Sequence, residues 1–213
     1  YSNRSVHAVN ETLERHAGVK ATVRGLDLAS QEVFSETRTV DLGANASSEL
    51  LSLAELQPPT PVWFLDLQLA DAGGTEMARN FYWLSAEPDV LDYEASEWFV
   101  TPTGEFADFT ALDGLPDVEV AATVTPMTGV DGAGVTVHLR NPSDRLAFAI
   151  ELRIVDPSTD RSILPVLLDD NYFALLPGEE REITARFPQT DDLGGAVLKI
   201  SGWNVPETTV ELQ

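Results

Sequence analysis

Apolar and polar residues alternate with a period of two along most of this chain, and this alternation most constrains its fold. Trp63–Ala70 alternates cleanly with its leucines directed inward, and a turn at Asp71–Gly74 leads into a returning strand at Glu76–Leu84. The strongest such segment of the second half is Leu146–Val155. Alternation bounded by turn residues is typical of half-buried strands and does not suit helices. The sequence therefore predicts an all-β fold with little helix.

The predicted strands fall into two sets separated by an aromatic-rich stretch. About seven strands are expected in the first set, including separate strands at Gln31–Ser35 and Thr37–Leu42, and that number suits an immunoglobulin-like β-sandwich of roughly 100 residues. The second set has a similar architecture. We therefore predict two tandem immunoglobulin-like sandwiches and a structured joint, with boundaries at 1–85, 86–116 and 117–213.

The joint differs from the polar, Pro- and Gly-rich linkers that usually connect independent domains. Its large rings are Tyr93, Trp98, Phe99, Phe106 and Phe109. Because burying such rings is strongly favourable, we expect them to pack into one or both sandwiches. Short helical turns are predicted near Leu91–Glu97 and Phe106–Leu112.

The charge balance restricts the possible partners. Thirteen Lys and Arg against 35 Asp and Glu give a formal net charge of −22 at pH 7. Such a surface repels phosphate groups, which argues against nucleic acid or an anionic membrane as a partner. The sequence contains no run of about 18 apolar residues, so no membrane-spanning helix is expected. The acidity permits a cationic ligand, and it is equally typical of a solvated surface that keeps a protein soluble.

No motif for catalysis or metal binding is found in the sequence. Cysteine is absent, which excludes thiolate catalysis and Cys-ligated zinc. His7, His16 and His138 lack the spacing of a zinc site. Asp169-Asp170-Asn171 and Asp191-Asp192 resemble fragments of a calcium loop, but they lack its full spacing and are interpreted as turns. We expect no catalytic residue, no metal site and no cofactor.

Three tryptophans are the candidates for contact with a carbohydrate. Trp83, Trp98 and Trp203 could each stack on the face of a sugar ring. Each could equally pack within a core or within the joint. A coplanar row of exposed rings would favour a carbohydrate-binding module, whereas burial of the three would favour a structural role.

Two local features concern processing of the chain. It begins at Tyr1 without an initiator methionine and without the basic and apolar segments of a signal peptide, so we expect a processed chain or a piece of a longer one. Sequons for N-glycosylation occur at Asn3, Asn10 and Asn45. In a sequence rich in Ser and Thr, we attribute these sequons to chance.

Several short motifs occur in a recognisable order along the joint and the second half. They are Asn80–Ser85 (NFYWLS), Ala107–Leu112 (ADFTAL), Leu115-Pro116, Arg140–Ser143 (RNPS), Leu164–Val166 (LPV), Asp170–Phe173 (DNYF), Leu176–Glu179 (LPGE) and Ser201–Asn204 (SGWN). In these motifs the chain resembles the C-terminal part of glycoside hydrolase family 2 exo-β-D-glucosaminidases and related β-mannosidase-like enzymes. The resemblance covers nearly the whole chain.

The resemblance implies a role within a larger enzyme. Members of that family have a jelly-roll domain, an immunoglobulin-like domain, a catalytic TIM barrel and two C-terminal immunoglobulin-like domains, and this chain is similar to the last two. The family's catalytic glutamates lie in the barrel, so none is carried over. The implied function is that of a non-catalytic part of a secreted, extracellular bacterial glycosidase, which supports the barrel and helps to shape its substrate cleft.

The resemblance also implies the partners. They are the remainder of the parent glycosidase, with its TIM barrel, and cationic chitosan oligosaccharides, from whose non-reducing ends the parent would release glucosamine. An autonomous carbohydrate-binding module is the alternative function.

Overall fold

Strands make up most of the structure, a computed structural model that describes residues 4–127, 133–187 and 195–212. The described residues contain 17 strands and one short 3₁₀ turn at Thr110–Gly114. The chain divides into two compact units, Tyr1–Gly114 and Leu115–Gln213. Within the described ranges, no helix has the length and apolar character needed to cross a membrane. The predicted all-β fold is confirmed.

The first unit is built from antiparallel strands. In chain order they are β1 (Ser5–Asn10), β2 (His16–Leu26), β3 (Glu32–Leu42), β4 (Ala46–Ser52), β5 (Val62–Ala70), β6 (Glu76–Ser85), β7 (Val90–Leu91) and β8 (Thr103–Glu105). A four-stranded sheet of order β3–β2–β5–β6 lies opposite a two-stranded sheet of β1 and β4. The short strands β7 and β8 pair with each other.

The core of the first unit lies between the four-stranded and two-stranded sheets. It includes Val6 and Ala8 of β1, Val19 and Val23 of β2, Leu50 of β4, and Trp63 and Leu65 of β5. Leu67 and Leu69 pack against this core and are partly buried. The inward direction predicted for the leucines of β5 is therefore confirmed.

Strand β3 differs from the sequence-based prediction. Instead of two strands separated by a break, Glu32–Leu42 is continuous, so six strands and not seven lie between Ser5 and Ser85, a segment that the structure describes in full. The reason is that β3 is an edge strand with mostly exposed side chains. Such a strand buries little, so its sequence carries little periodic apolar signal.

The second unit has the same two-layer arrangement. Its strands are β9 (Ala121–Pro126), β10 (Ala133–Arg140), β11 (Ala147–Asp156), β12 (Arg161–Ser162), β13 (Leu167–Leu168), β14 (Phe173–Leu175), β15 (Glu180–Phe187), β16 (Val197–Ser201) and β17 (Thr208–Glu211). One sheet has the order β13–β15–β10–β9, and the other has the order β12–β11–β16–β17 with β14 pairing to β11. The core contains Val137, Leu139, Ile150, Leu152, Leu175, Ile183, Leu198 and Ile200.

A buried asparagine closes a loop in the first unit. The side-chain amide of Asn10 donates hydrogen bonds to the carbonyl oxygens of Glu14 (2.8 Å) and Gly43 (2.7 Å). Its side-chain oxygen accepts from the backbone N–H (3.0 Å) and the hydroxyl (2.8 Å) of Thr12. The Asn-x-Thr pattern at Asn10, attributed above to chance, thus has a structural role, because the amide nitrogen is buried in this loop.

The second unit repeats the arrangement at Asn141. Its side-chain amide lies within 2.7 Å of the carbonyl oxygen of Arg145, 3.0 Å of that of Leu175 and 3.2 Å of that of Leu176. Its oxygen accepts from the backbone N–H (3.0 Å) and hydroxyl (2.8 Å) of Ser143. The asparagine is fully buried, so it satisfies backbone groups that water cannot reach.

A carboxylate is fully buried within the four-stranded sheet of the first unit. Asp66 of β5 accepts hydrogen bonds from Nη2 of Arg24 on β2 (2.6 Å) and from Nε of Arg79 on β6 (2.7 Å). The side chain of Arg79 is itself 8% exposed, whereas that of Arg24 is 27% exposed. This ion triad joins three neighbouring strands across one face of the sheet.

Candidate functional site

The part of the joint between residues 89 and 107 forms a hairpin, which we call the arm. At its base the side-chain oxygen of Asp89 accepts a hydrogen bond from the backbone N–H of Ala107 (2.8 Å). The strands β7 and β8 pair just beyond, with Val90 opposite Glu105 and Leu91 opposite Thr103. The arm therefore has its own backbone pairing and belongs to the first unit.

Hydrogen bonds continue along the arm toward its tip. The N–H of Asp92 donates to the carbonyl oxygen of Pro102 (2.9 Å). The carboxylate of Asp92 accepts from the N–H groups of Glu94 (3.1 Å) and Ala95 (3.0 Å). The helical turn predicted at Leu91–Glu97 is wrong, because after a single turn at Glu94 and Ala95 the backbone becomes extended and forms a bridge between Glu97 and Val100.

Two aromatic residues occupy the tip. Glu97 and Val100 exchange backbone hydrogen bonds of 3.0 and 2.9 Å, which leaves Trp98 and Phe99 as the turn residues. The two rings meet edge to face, with centroids 4.3 Å apart. Trp98 has a φ of 52°, a left-handed conformation that is strained for a bulky residue. The tip thus holds Trp98 in an unfavourable backbone conformation that directs a 97% exposed ring outward.

The apolar side chains of the arm face solvent. Large exposed residues are Val90, Leu91, Tyr93, Trp98, Phe99, Val100 and Phe106, with Tyr93, Phe99 and Phe106 each at least 74% exposed. The prediction that the aromatics of the joint pack into the sandwiches is wrong for these residues. The joint is ordered by its own backbone and carboxylate hydrogen bonds, so it needs no core of its own.

The arm is also strongly acidic. It carries Asp89, Asp92, Glu94, Glu97 and Glu105, and neither Lys nor Arg. Just after it, the N–H and hydroxyl of Thr110 bind the carboxylate of Asp108 and lower its pKa, which keeps it ionised. Rings that stack on apolar surfaces, surrounded by carboxylates that attract cations, suit an amino sugar or a protein surface with basic groups.

The three candidate tryptophans lie on three different elements. Trp98 is at the tip of the arm. Trp83 is on β6 opposite Phe64 of β5, on the sheet face away from the core, and is about half exposed. Trp203 belongs to the second unit, where its backbone N–H donates to the carbonyl oxygen of Phe148 (2.9 Å), and its side chain is 56% exposed. Their proposed contact with carbohydrate stays a prediction, and Trp98 is the most exposed of them.

Of the two fragments that resemble a calcium loop, the structure describes Asp169-Asp170-Asn171, which forms a turn. Asp170 pairs with Arg181, and the side chain of Asn171 bonds both backbone groups of Leu152, at 2.8 and 3.1 Å. These contacts hold a turn against β11. Asp191-Asp192 lies outside the described residues. In the part of the chain that is described, no group of three or more acidic or histidine side chains is arranged to hold a metal ion.

Comparison with known proteins identifies the family. A family model described as the Ig-fold domain of exo-β-D-glucosaminidase matches residues 98–205, more than half of the chain. The chain belongs to this exo-β-D-glucosaminidase family. A second family model, described as a mannosidase Ig/CBM-like domain, matches residues 2–86. Both units are therefore immunoglobulin-like, and the predicted tandem sandwich fold with its structured joint is confirmed.

Curated relatives that are also exo-β-D-glucosaminidases align with nearly the whole chain. An exo-β-D-glucosaminidase of Amycolatopsis orientalis is 36% identical over 217 residues, which cover 99% of this chain and 21% of the relative. One of Arthroderma benhamiae is 32% identical and is covered to 23%. The chain thus spans about a fifth to a quarter of the length of these exo-β-D-glucosaminidases.

Solved structures agree in fold. The exo-chitosanase CsxA of Amycolatopsis orientalis superimposes with a TM-score of 0.91 at 34% identity, over 99% of this chain and 25% of that one. A β-D-mannosidase from Dictyoglomus thermophilum superimposes with a TM-score of 0.60 at 17% identity, which supports the fold alone. The chain matches the non-catalytic, immunoglobulin-like portion of exo-β-D-glucosaminidases, as the sequence motifs predicted, and it does not include their catalytic domain.

Proposed function

We propose that this chain is the C-terminal part of a secreted, extracellular bacterial exo-β-D-glucosaminidase that acts on chitosan oligosaccharides. In it, the two sandwiches support the catalytic TIM barrel and help to shape its substrate cleft. The chain itself performs no catalysis. The division into sandwiches at 1–85 and 117–213 with a joint at 86–116 is part of this proposal.

The observation that carries the proposal is the exposed apolar surface of the arm. A soluble domain rarely presents so many large apolar side chains on one ordered element unless another surface covers them. The chain spans only 21% to 25% of its relatives, so most of the surface of such an enzyme lies elsewhere. The arm is therefore assigned to contact with the remainder of the parent, where its carboxylates face the cleft and attract the ammonium groups of the substrate.

The first test changes the tip of the arm in the full-length parent enzyme. The double variant Trp98→Ala/Phe99→Ala is expected to lower kcat/KM for a glucosamine dimer by at least about tenfold, because exposed aromatic anchors carry much of the energy of an interface. The same double substitution in the 213-residue chain should leave its melting temperature nearly unchanged, since the two rings bury little surface there.

Leu13→Ala provides the matched control. Leu13 lies in a loop of the same unit and is 89% exposed, so its removal should affect neither activity nor stability. Full activity of the Trp98→Ala/Phe99→Ala enzyme would contradict the proposal, and turnover of the dimer by the isolated 213-residue chain would contradict its non-catalytic role.

An autonomous carbohydrate-binding module is favoured as the second function by the same exposed Trp98 and its acidic surroundings. On this view the arm itself would bind chitosan, with rings stacked on sugar faces. The first proposal instead expects attraction to chitosan through charge alone, as a weak association that increases the rate of encounter.

Salt dependence separates the two functions. At low salt and a pH of about 6, where the amines of chitosan are protonated, charge attraction should give weak, non-saturating association that fades by several hundred millimolar salt, since screening shortens its reach to about 10 Å at 0.1 M. Neutral chitin oligomers should not associate. Saturable binding that survives high salt and is abolished by Trp98→Ala would instead establish the binding module. Tryptophan fluorescence and sedimentation measure both the weak association through charge and the saturable binding.

A further inference from the structure

The polar face of one sheet in the second unit brings three kinds of reactive side chain together. In the register of β9, β10 and β15, His138 lies opposite Thr123 on one side and Glu182 on the other. The next pair along the same face is Thr125 and Thr136. Thr125, His138 and Glu182 are all exposed. A hydroxyl, an imidazole and a carboxylate from three neighbouring strands are therefore adjacent and accessible.

The two ring nitrogens of His138 contact different groups. Nδ1 is 3.2 Å from Oε2 of Glu182, and Nε2 is 3.3 Å from the hydroxyl oxygen of Thr125. Because an ionised carboxylate only accepts hydrogen bonds, it holds the proton of a neutral imidazole on Nδ1. Nε2 then carries a lone pair that accepts the hydrogen bond of the hydroxyl. The imidazole is thus placed to act as a base for Thr125.

The surrounding contacts leave this arrangement intact. Arg140, two residues beyond His138 on β10, has its Nε 3.5 Å from Oε1 of Glu180, so the arginine pairs with Glu180 and not with Glu182. The hydroxyl of Thr125 also lies 3.4 Å from the carbonyl oxygen of Thr136. A backbone carbonyl is a much weaker base than imidazole, so it can accept the hydrogen bond but not the proton.

The other two histidines of the chain, both described by the structure, lack this arrangement. Nε2 of His7 is 2.9 Å from the hydroxyl of Ser5 and 3.9 Å from a carboxylate oxygen of Glu49, so one nitrogen makes both contacts. Nε2 of His16 is 3.2 Å from the hydroxyl of Thr12. Within the described ranges, none of the contacts of His16 is with a carboxylate. Thr12 therefore offers an internal comparison for Thr125.

We propose that Thr125 is a site of covalent acylation, where its hydroxyl takes the acyl group of an activated carboxylic ester. Nε2 of His138 accepts the hydroxyl proton as Oγ1 of Thr125 attacks the carbonyl carbon and forms a new C–O bond. The bond from that carbon to the leaving oxygen breaks, and the leaving oxygen keeps the electron pair and receives the proton from Nε2. The products are an O-acyl threonine and the alcohol or phenol of the ester.

Glu182 is a positioning residue in this reaction, because it acts through His138 and does not touch the ester. It holds the Nδ1–H tautomer and stabilises the imidazolium that forms when Nε2 takes the proton. A cavity of about 500 Å³, lined by Thr123, His138 and Arg140 among others, lies beside the imidazole and has room for a small ester. The reaction stops at the acyl threonine, so it is a modification of the chain and is independent of the proposed function.

The probe is p-nitrophenyl acetate, added to the 213-residue chain near neutral pH. Peptide mass spectrometry locates the acetyl groups and follows their formation with time. We expect Thr125 to be acetylated at least about tenfold faster than Thr12, a smaller factor than a buried general base gives, since the site is open to water. Thr12 is the slower site because His16 lacks a carboxylate and the hydroxyl lies 2.8 Å from the side-chain oxygen of Asn10. Equal rates at the two threonines would overturn the proposal.

Glu182→Gln and Glu180→Gln are the matched variants. Glu182→Gln keeps the size of the side chain, but an amide can donate as well as accept and so no longer fixes the proton of His138. It should slow the acetylation of Thr125 by about tenfold and move the proton toward Nε2, which nitrogen NMR of the ring detects and which a merely structural role would not change. Glu180→Gln should alter neither. Unchanged acetylation in Glu182→Gln, or acetyl-His138 that forms without transfer to Thr125, would equally contradict the proposal.

Discussion

Replacing Asp66 by Ala is expected to lower the free energy of unfolding of the first unit by about 3–5 kcal/mol, the usual cost of removing one partner from a buried ion pair. The carboxylate is fully buried and bonded to Arg24 and Arg79. Its removal takes a carboxylate partner from the guanidinium of Arg79, which is only 8% exposed, and so weakens the compensation of a charge beneath the surface. Urea unfolding monitored by the NMR signal of the buried Trp63 indole would report this unit.

Two further substitutions calibrate the Asp66 result. Asp66→Asn keeps the shape of the side chain and one hydrogen-bond acceptor, so it should lower the free energy of unfolding by less than Asp66→Ala does. Glu36→Ala removes an ion-pair partner of Arg38 at the exposed edge of the same sheet, where an ion pair contributes less than about 1 kcal/mol. Similar losses for Asp66→Ala and Glu36→Ala would show that the triad is not a determinant of stability.

Asn141→Ala should destabilise the second unit by about 1–3 kcal/mol, the usual cost of leaving a buried polar group unsatisfied. The cost is not larger because the carbonyl oxygens of Arg145 and Leu176 keep other donors, the hydroxyl of Ser143 and the N–H of Glu179, each at 3.0 Å. The carbonyl oxygens of Arg145, Leu175 and Leu176 all lie within 3.2 Å of the lost amide. Urea unfolding of this unit, followed through the NMR signals of its core methyl groups, measures the loss.

Variants at and near Asn141 are expected to destabilise the second unit in a defined order. Asn141→Asp places a carboxylate against three carbonyl oxygens and should be the most damaging. Ser143→Ala removes one hydroxyl that bonds the asparagine oxygen and should cost about 1 kcal/mol. A loss for Ser143→Ala as large as that for Asn141→Ala would contradict the central role of the amide. Asn10→Ala should have a parallel, local effect in the first unit.

The alternation of apolar and polar residues and the order of the short motifs predict much of the fold. Individual residues show what these two signals cannot predict. The leucines of β5 were placed inward correctly because one face of that strand is buried, which forces a period of two. Strand β3 was divided in two because an edge strand can be polar on both faces. Asp66 could not be identified as buried, since its partners Arg24 and Arg79 become neighbours only through strand register, which alternation within one strand does not reveal.

The arm shows a second limit of sequence reasoning. Its aromatic residues were expected to be buried, and in a complete protein a surface for Trp98 can come from residues far outside this chain. A sequence records that a ring is present and not which polypeptide segment covers it. Asp92 accepts from the N–H groups of Glu94 and Ala95, which is also the contact that begins a helix at an N-cap, so the local sequence at Leu91–Glu97 does not distinguish an isolated turn from a helix.

The position of β3 at the edge of its sheet has a consequence for the colloidal behaviour of the chain. An edge strand is a template on which other molecules can add strands, and β3, at one edge of the four-stranded sheet, contains neither Lys nor Pro to discourage this. At neutral pH the charge of −22 keeps molecules apart. As the pH falls toward the isoelectric point of about 4.2, this repulsion disappears while the edge remains. The acidity of the chain therefore also acts as its protection against strand-to-strand aggregation.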